Sequence, residues 1–399
     1  MNTGTMRGLL TLALAALAAA PLARAELPSL QSVQTLRPLP EETTDPQGDP
    51  QAPLFGSSLA LAGNTALSGM PGAFDNEGRV AIYTRRGGSW VRTGTLQAKD
   101  AASGAEFGSD VALAAGRALV ASRTAVYVFA LSDGTWRQTQ KLMFDGPVQI
   151  ADLDWSGSVA IVGVGVNNLG TRSNGVYAFA LTSSGQLQRV AKFSAHDTAP
   201  EDMFGNRVAI AGTAVAITAP GYNADQGAAY FFVCGASGCF ERQKLLATDG
   251  KPGDLFGSAV AIRTHVLVVG AQAADPERPE DDGARGAGYV FVRPNSTWIE
   301  TQKLGATAVE SEPYRALGAA VALTTDRVLV GGVGLPGFAP AFVLVYDFSG
   351  GSLVPTHILP GFGGSLALVG NTAIVGTPFN SSSFPEGQAD VFNLPPAIP

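Results

Sequence analysis

The sequence predicts an all-β fold, a seven-bladed β-propeller of four-stranded antiparallel blades, and three observations carry that prediction. First, a Phe-Gly pair recurs at Phe55-Gly56, Phe107-Gly108, Phe204-Gly205, Phe256-Gly257 and Phe362-Gly363, at spacings of about fifty residues or about twice that. The two long intervals each hold one degenerate unit, around Ile150 and at Leu317-Gly318, which makes seven. Second, each unit reads as short apolar strands followed by a closing strand of the form Trp-x-x-Thr-x-x-Leu, as in Trp90 to Leu96 and Trp136 to Leu142. A repeat of roughly 40–50 residues with four strands per period is the pattern of radial repetition. Third, the last unit lacks its closing strand, and a matching segment stands at the other end of the chain, Leu30 to Leu36.

The N-terminus comes first. Arg7, the apolar run Leu9 to Ala20 and the Ala23-Arg24-Ala25 site read as a signal peptide over residues 1–25, cleaved between Ala25 and Glu26. The protein is therefore expected to be exported, to the periplasm or the extracellular space. Residues 26–53 read as the closing strand and a Pro- and acid-rich linker, and 54–399 as the propeller, with units starting near 54, 106, 147, 203, 255, 314 and 361.

In the first unit, Ser58 to Leu61 is expected innermost, followed by Thr65 to Ser68, Val80 to Tyr83 and the outer strand Trp90 to Leu96. Outer strands recur at Trp136–Leu142, Leu187–Phe193, Phe240–Leu246, Trp298–Leu304 and Leu353–Leu359. Innermost strands are expected to be apolar on both faces, outer strands to alternate. Closure by the N-terminal strand would remove an open sheet edge.

Composition agrees with many tight turns: 49 of 399 residues are Gly. A net charge of −7 argues against nucleic acid as a partner. After the N-terminus no apolar run is long enough to span a bilayer, so no transmembrane segment is expected once the signal is removed. The two cysteines, Cys234 and Cys239, flank a four-residue hairpin tip and so come within disulfide reach. A metal site is the weaker reading, because no His or further Cys stands nearby.

The five Phe-Gly pairs, with approximate Gly-Ala-Pro halves at Gly69-Met70-Pro71, Thr218-Ala219-Pro220, Gly270-Ala271-Gln272 and Gly376-Thr377-Pro378, resemble the FG-GAP repeat family, in its bacterial exported branch. The resemblance implies the seven-bladed propeller known from the N-terminal region of integrin α chains. It also implies a calcium loop, Asp-x-Asp-x-Asp-Gly, between the two halves. Six units carry a tight turn there, as at Ala62-Gly63-Asn64, too short for six to eight oxygen ligands. Only Asp152-Leu153-Asp154-Trp155-Ser156-Gly157 keeps the spacing, without the third and terminal acids. Asp152 and Asp154 are thus the candidate metal ligands, with an acidic turn as the preferred reading, and no other cofactor is expected.

Catalysis has little support. His196, His265 and His357 fall at different repeat positions, and neither G-x-S-x-G nor H-E-x-x-H occurs. The loops between second and third strands vary most, among them Phe74 to Glu77, Asn167 to Asn174, Asn223 to Gln226, Asp275 to Asp282, Gly334 to Ala339 and Asn380 to Glu386. Propeller geometry puts them on one rim, where binding usually resides. The sequence thus points to a non-catalytic module that binds protein or surface polysaccharide. The alternative is a secreted hydrolase or lyase on polysaccharide, which would need acids or His converging at the axial mouth.

Overall fold

The computed structural model describes residues 27–44, 52–114, 116–166, 172–235, 238–274, 286–305, 316–333, 341–349, 351–361, 363–378 and 386–397. Ala25 and Glu26, the acidic segment Asp275 to Asp282, and the loop Gly334 to Ala339 lie outside these residues.

Strand β1 is Gln34–Leu36. Blade 1 follows as β2 (Leu59–Ala62), β3 (Thr65–Met70), β4 (Arg79–Arg86) and β5 (Ser89–Leu96). Blade 2 is β6 (Asp110–Ala114), β7 (Arg117–Ala121), β8 (Val126–Ser132) and β9 (Thr135–Leu142), and blade 3 is β10 (Gln149–Ser156), β11 (Val159–Val166), β12 (Arg172–Leu181) and β13 (Leu187–Phe193). Blade 4 is β14 (Val208–Ala211), β15 (Ala214–Ala219), β16 (Ala228–Gly235) and β17 (Gly238–Leu245), and blade 5 is β18 (Phe256–Ile262), β19 (Val266–Ala271), β20 (Ala287–Val292) and β21 (Ile299–Gly305). Blade 6 is β22 (Leu317–Leu323), β23 (Arg327–Gly332), β24 (Phe342–Ser349) and β25 (Ser352–Pro360), and blade 7 adds β26 (Ser365–Val369), β27 (Thr372–Thr377) and β28 (Gln388–Asn393). Six blades are consecutive antiparallel sheets. The seventh has the order β1-β28-β27-β26, so the N-terminal strand completes it.

The closing strand is shorter than the repeat suggests. Only Gln34 to Leu36 pair with β28. Upstream, the Leu30 amide donates to Ile358 O and the Ile358 amide to Pro28 O, so residues 28–30 run along the outer strand of blade 6 instead. The N-terminal segment thereby straps three blades: it lies against blade 6, completes blade 7, and reaches blade 1 through Tyr83 Oη, which donates to Arg37 O at 3.0 Å, and through the buried Glu42–Arg92 ion pair.

The hydrophobic core consists of seven clusters, each packed between neighbouring blades. The Phe-Gly half explains itself here. Phe55, Phe107, Phe204 and Phe256 are fully buried, each edge-on to a tyrosine of its own blade's third strand: Tyr83, Tyr127, Tyr230 and Tyr289. Blade 3 has no such pair, and Phe144 fills the equivalent place, 5.1 Å from Tyr177. The Gly half sits where blades touch by backbone. A Cβ on Gly69 would stand 2.1 Å from Gly108 O, and one on Gly376 2.2 Å from Gly56 O. No side chain fits such a gap, so the glycine of one blade's Gly-Ala-Pro half and the Phe-Gly glycine of the next form one contact.

A second device joins the outer strands. Gln34 Nε2 donates to Trp90 O (2.6 Å) while the Trp90 amide donates to Gln34 Oε1 (2.8 Å). Gln140 grips Leu187, Gln243 grips Trp298 and Gln302 grips Leu353 in the same two-way manner. Each Gln stands two residues before the terminal leucine of its outer strand. Cys234 and Cys239 are bonded across the β16–β17 hairpin, and no other cysteine exists. Among the described residues no helix is long and apolar enough to cross a membrane.

Candidate functional site

The seven innermost strands line one axial cavity of about 630 Å³. Its wall departs from the expectation of strands apolar on both faces. Asp110, Asp152 and Asp154 project into it together with Arg207 and Arg263, beside small residues such as Ser58 and Ser365. All the acids come from blades 2 and 3 and both arginines from blades 4 and 5, so the charge is concentrated on one side of the ring.

Asp152 and Asp154 do not lie in a loop. They occupy alternate positions of β10, with the turn beginning only at Gly157, and this corrects the reading of Asp152 to Gly157 as an acidic turn. The strand is possible because alternation puts Leu153 and Trp155 into the inter-blade core and both acids on the channel face. There they bridge blades. Innermost strands of adjacent blades belong to separate sheets, and side chains supply the link between them. Asp110 Oδ2 accepts from the Leu153 amide (2.8 Å), Asp152 Oδ2 from Val208 (2.6 Å), Asp154 Oδ2 from Ile210 (2.8 Å) and Ser156 Oγ from Gly212 (3.0 Å). The other oxygens of Asp110 and Asp154 accept the amides of Val111 and Trp155. The Asp152 charge also acts on the Asp110 carboxyl.

Burial, reinforced by the Asp152 charge, holds the Asp110 carboxyl well above the usual carboxylate range, with the backbone amides and Arg207 opposing. Burial likewise raises Asp152, and pushes Asp154 up to about 6. Two buried carboxyls that act on each other through their charges share a proton more readily than they both ionise. Among the described residues no group of three or more His, Cys, Asp or Glu is arranged to hold a metal ion.

The histidines stay away from the axis. His196 is exposed and bonds Glu241 (2.7 Å) between outer strands. His357 lies in β25, where burial lowers its pKa. His265 lies in the turn before β19, and none of the three lines the channel.

On the rim, Ala73–Asn76 and Tyr222–Asp225 form the same one-turn loop. Three consecutive non-glycine residues in each have positive φ, Phe74 to Asn76 and Asn223 to Asp225. Left-handed backbone costs about 1–2 kcal/mol per residue. The connector to the next blade offsets this: Glu106 and Phe107 donate to Asn76 O and Glu77 O, and Leu255 and Phe256 donate to Asp225 O and Gln226 O.

With this geometry in place, comparison with known proteins is informative. The FG-GAP repeat family matches residues 187–232 and 240–291, which span the outer strand of blade 3, blade 4 and much of blade 5. These two segments match the FG-GAP repeat. Solved structures similar to this propeller number 462 chains. One is the crystal structure of a functionally unknown protein from Desulfotomaculum acetoxidans DSM 771, 12% identical, with a TM-score of 0.52, covering 75% of this chain and 86% of that chain. That likeness is one of fold. No curated protein matches the sequence.

Proposed function

We propose that this FG-GAP propeller is an exported, non-catalytic binding module that holds a protein or surface polysaccharide on the rim bearing the loops between second and third strands. The supporting observation is the stitching of that rim. In blades 1 and 4 the loop and the following connector lock each other through paired backbone hydrogen bonds, while the corresponding loops of the other blades differ in length and composition. A rigid frame with variable tips is how scaffolds commonly present recognition surfaces. The disulfide in the β16–β17 hairpin accords with export to an oxidising compartment.

The axial cluster favours a second reading, hydrolysis or elimination on a polysaccharide. Three acids converge there. Against it, both oxygens of Asp110 and of Asp154 already accept backbone amides, which leaves little capacity for substrate.

The test is a glycan and surface-protein binding screen of the mature chain, repeated after residues 275–285 are replaced by a short Gly-Ser turn and after Asp110→Asn. Rim binding is lost with the loop and kept with Asp110→Asn. Release of reducing ends from a polysaccharide, abolished by Asp110→Asn, would replace the binding reading with the enzymatic one.

A further inference from the structure

The two faces of the ring differ in charge. In antiparallel blades the turns from first to second and from third to fourth strand lie on one face, and the loop rim described above is the other. The turn face carries Arg85 and Arg86 at the end of β4, Arg117 opening β7, Arg137 two residues into β9, and Arg263 just after β18. Arg86, Arg137 and Arg263 are exposed, and Arg85 and Arg117 are half-buried. Three of them reach a neutral oxygen of a neighbouring blade. Arg85 Nη1 donates to Thr372 Oγ1 (3.3 Å), Arg117 Nη1 to Gly185 O (3.0 Å) and Arg263 Nε to Leu323 O (3.3 Å). Among the described residues none of these five arginines is in an ion pair. The pairs Lys141–Asp100, Lys244–Asp197 and Lys303–Asp249 stand toward the loop rim instead. Arg327 and Arg293 also belong to the turn face but are occupied, Arg327 by the buried Asp347 and Arg293 by the ring of Trp298. The acids in these turns are Asp133 and Asp326. A chain of net charge −7 thus keeps an excess of positive charge on one face. Leu131, Phe240, Ile299, Val354 and Val369 flank the same turns and are exposed.

A guanidinium is weakly hydrated, and its planar fork meets phosphate oxygens two at a time. Arginines without acid partners, interspersed with exposed apolar side chains, match the chemistry of a lipid surface. The phosphates accept from the guanidiniums, and the apolar side chains pass below the head groups. We propose that the turn face docks on an anionic phospholipid bilayer and leaves the loop rim turned away from it. An acidic polysaccharide fits less well, because the arginines are spread over blades 1, 2 and 5 rather than gathered along one groove. The proposal rests on this face alone and does not depend on what the rim holds.

The test is flotation of the mature chain with vesicles. Vesicles of mixed phosphatidylglycerol and phosphatidylcholine should carry the protein up the gradient, and vesicles of phosphatidylcholine alone should leave it below. Raising the salt to about 0.5 M should weaken the anionic binding. Arg86→Glu combined with Arg137→Glu changes two exposed side chains of the turn face and should weaken it at least about thirtyfold. Lys99→Glu combined with Lys192→Glu makes the same change of net charge toward the loop rim, also at exposed positions, and should alter it less than about twofold. Equal loss in the two double variants overturns the proposal, because overall charge would then explain the binding. So does equal flotation with neutral vesicles. Retention on immobilised polygalacturonate without flotation on anionic vesicles assigns the face to an acidic polysaccharide and likewise overturns it.

Discussion

Ring closure rests on three residues of strand pairing, and Gln34→Ala isolates one part of it. The substitution removes two hydrogen bonds, to Trp90 O and from the Trp90 amide. A neutral hydrogen bond contributes about 0.5–1.5 kcal/mol net, and a partner stranded away from water costs about 1–3 kcal/mol. Trp90 is 4% exposed, so water replaces the lost partner poorly. The expected loss is therefore about 2–3 kcal/mol. The same reasoning applies to Gln140→Ala, Gln243→Ala and Gln302→Ala, which serve as controls. What differs is the opening each allows. At the control interfaces both blades are built from contiguous chain. At the closing interface β1 comes from the far end, so it can leave β28 without unfolding a blade. Gln34→Ala should lower the urea midpoint and also accelerate amide exchange in β28, read by mass spectrometry on peptides spanning 386–394. The controls should lower the midpoint and leave exchange in β28 near its wild-type rate. Equal exchange in all four variants would refute the idea that closure is a separate, weaker step, and an unchanged midpoint for Gln34→Ala would refute the clamp itself.

Gly270→Ala places a Cβ 1.9 Å from Gly318 O and should cost about 3 kcal/mol or more in urea unfolding. Gly305→Ala, whose Cβ meets nothing within 4 Å, should be near neutral, and equal effects would count against the backbone contact. Asp154 has a folded pKa raised from 3.8 to about 6. The proton it holds in the folded state stabilises fully below pH 4, and that stability is lost as pH rises through about 6, by at most about 3 kcal/mol. Melts from pH 4 to 8 should therefore show wild-type stability falling relative to Asp154→Asn across that window, and parallel profiles would dismiss the shift. Reducing Cys234–Cys239 opens a short loop worth about 2 kcal/mol of chain entropy. The reduced protein should melt lower yet stay folded, and unfolding on reduction would show that the bond carries more than its loop.

The repeat by itself determined the blade count, the strand order and the closing role of the N-terminus. Each blade buries its faces only against its neighbours, so the same Phe, Gly and aliphatic positions must recur at one period, and a period is visible in one dimension. The Gln-x-Leu ending of Gln34-Thr35-Leu36, Gln140-Lys141-Leu142, Gln243-Lys244-Leu245 and Gln302-Lys303-Leu304 was equally visible, but only the structure shows what the glutamine grips, because its partner lies on the next blade. The channel was not legible. Asp152 and Asp154 match an ion loop in spacing, and a period of two equally fits a strand. What decided between them was the position of β14, whose free amides at Val208 and Ile210 stand where those carboxylates can accept them. Asp110, Arg207 and Arg263 come from blades 2, 4 and 5. Sites of this kind form from residues one blade or more apart. Their chemistry depends on how the ring closes, and local sequence has no access to that distance.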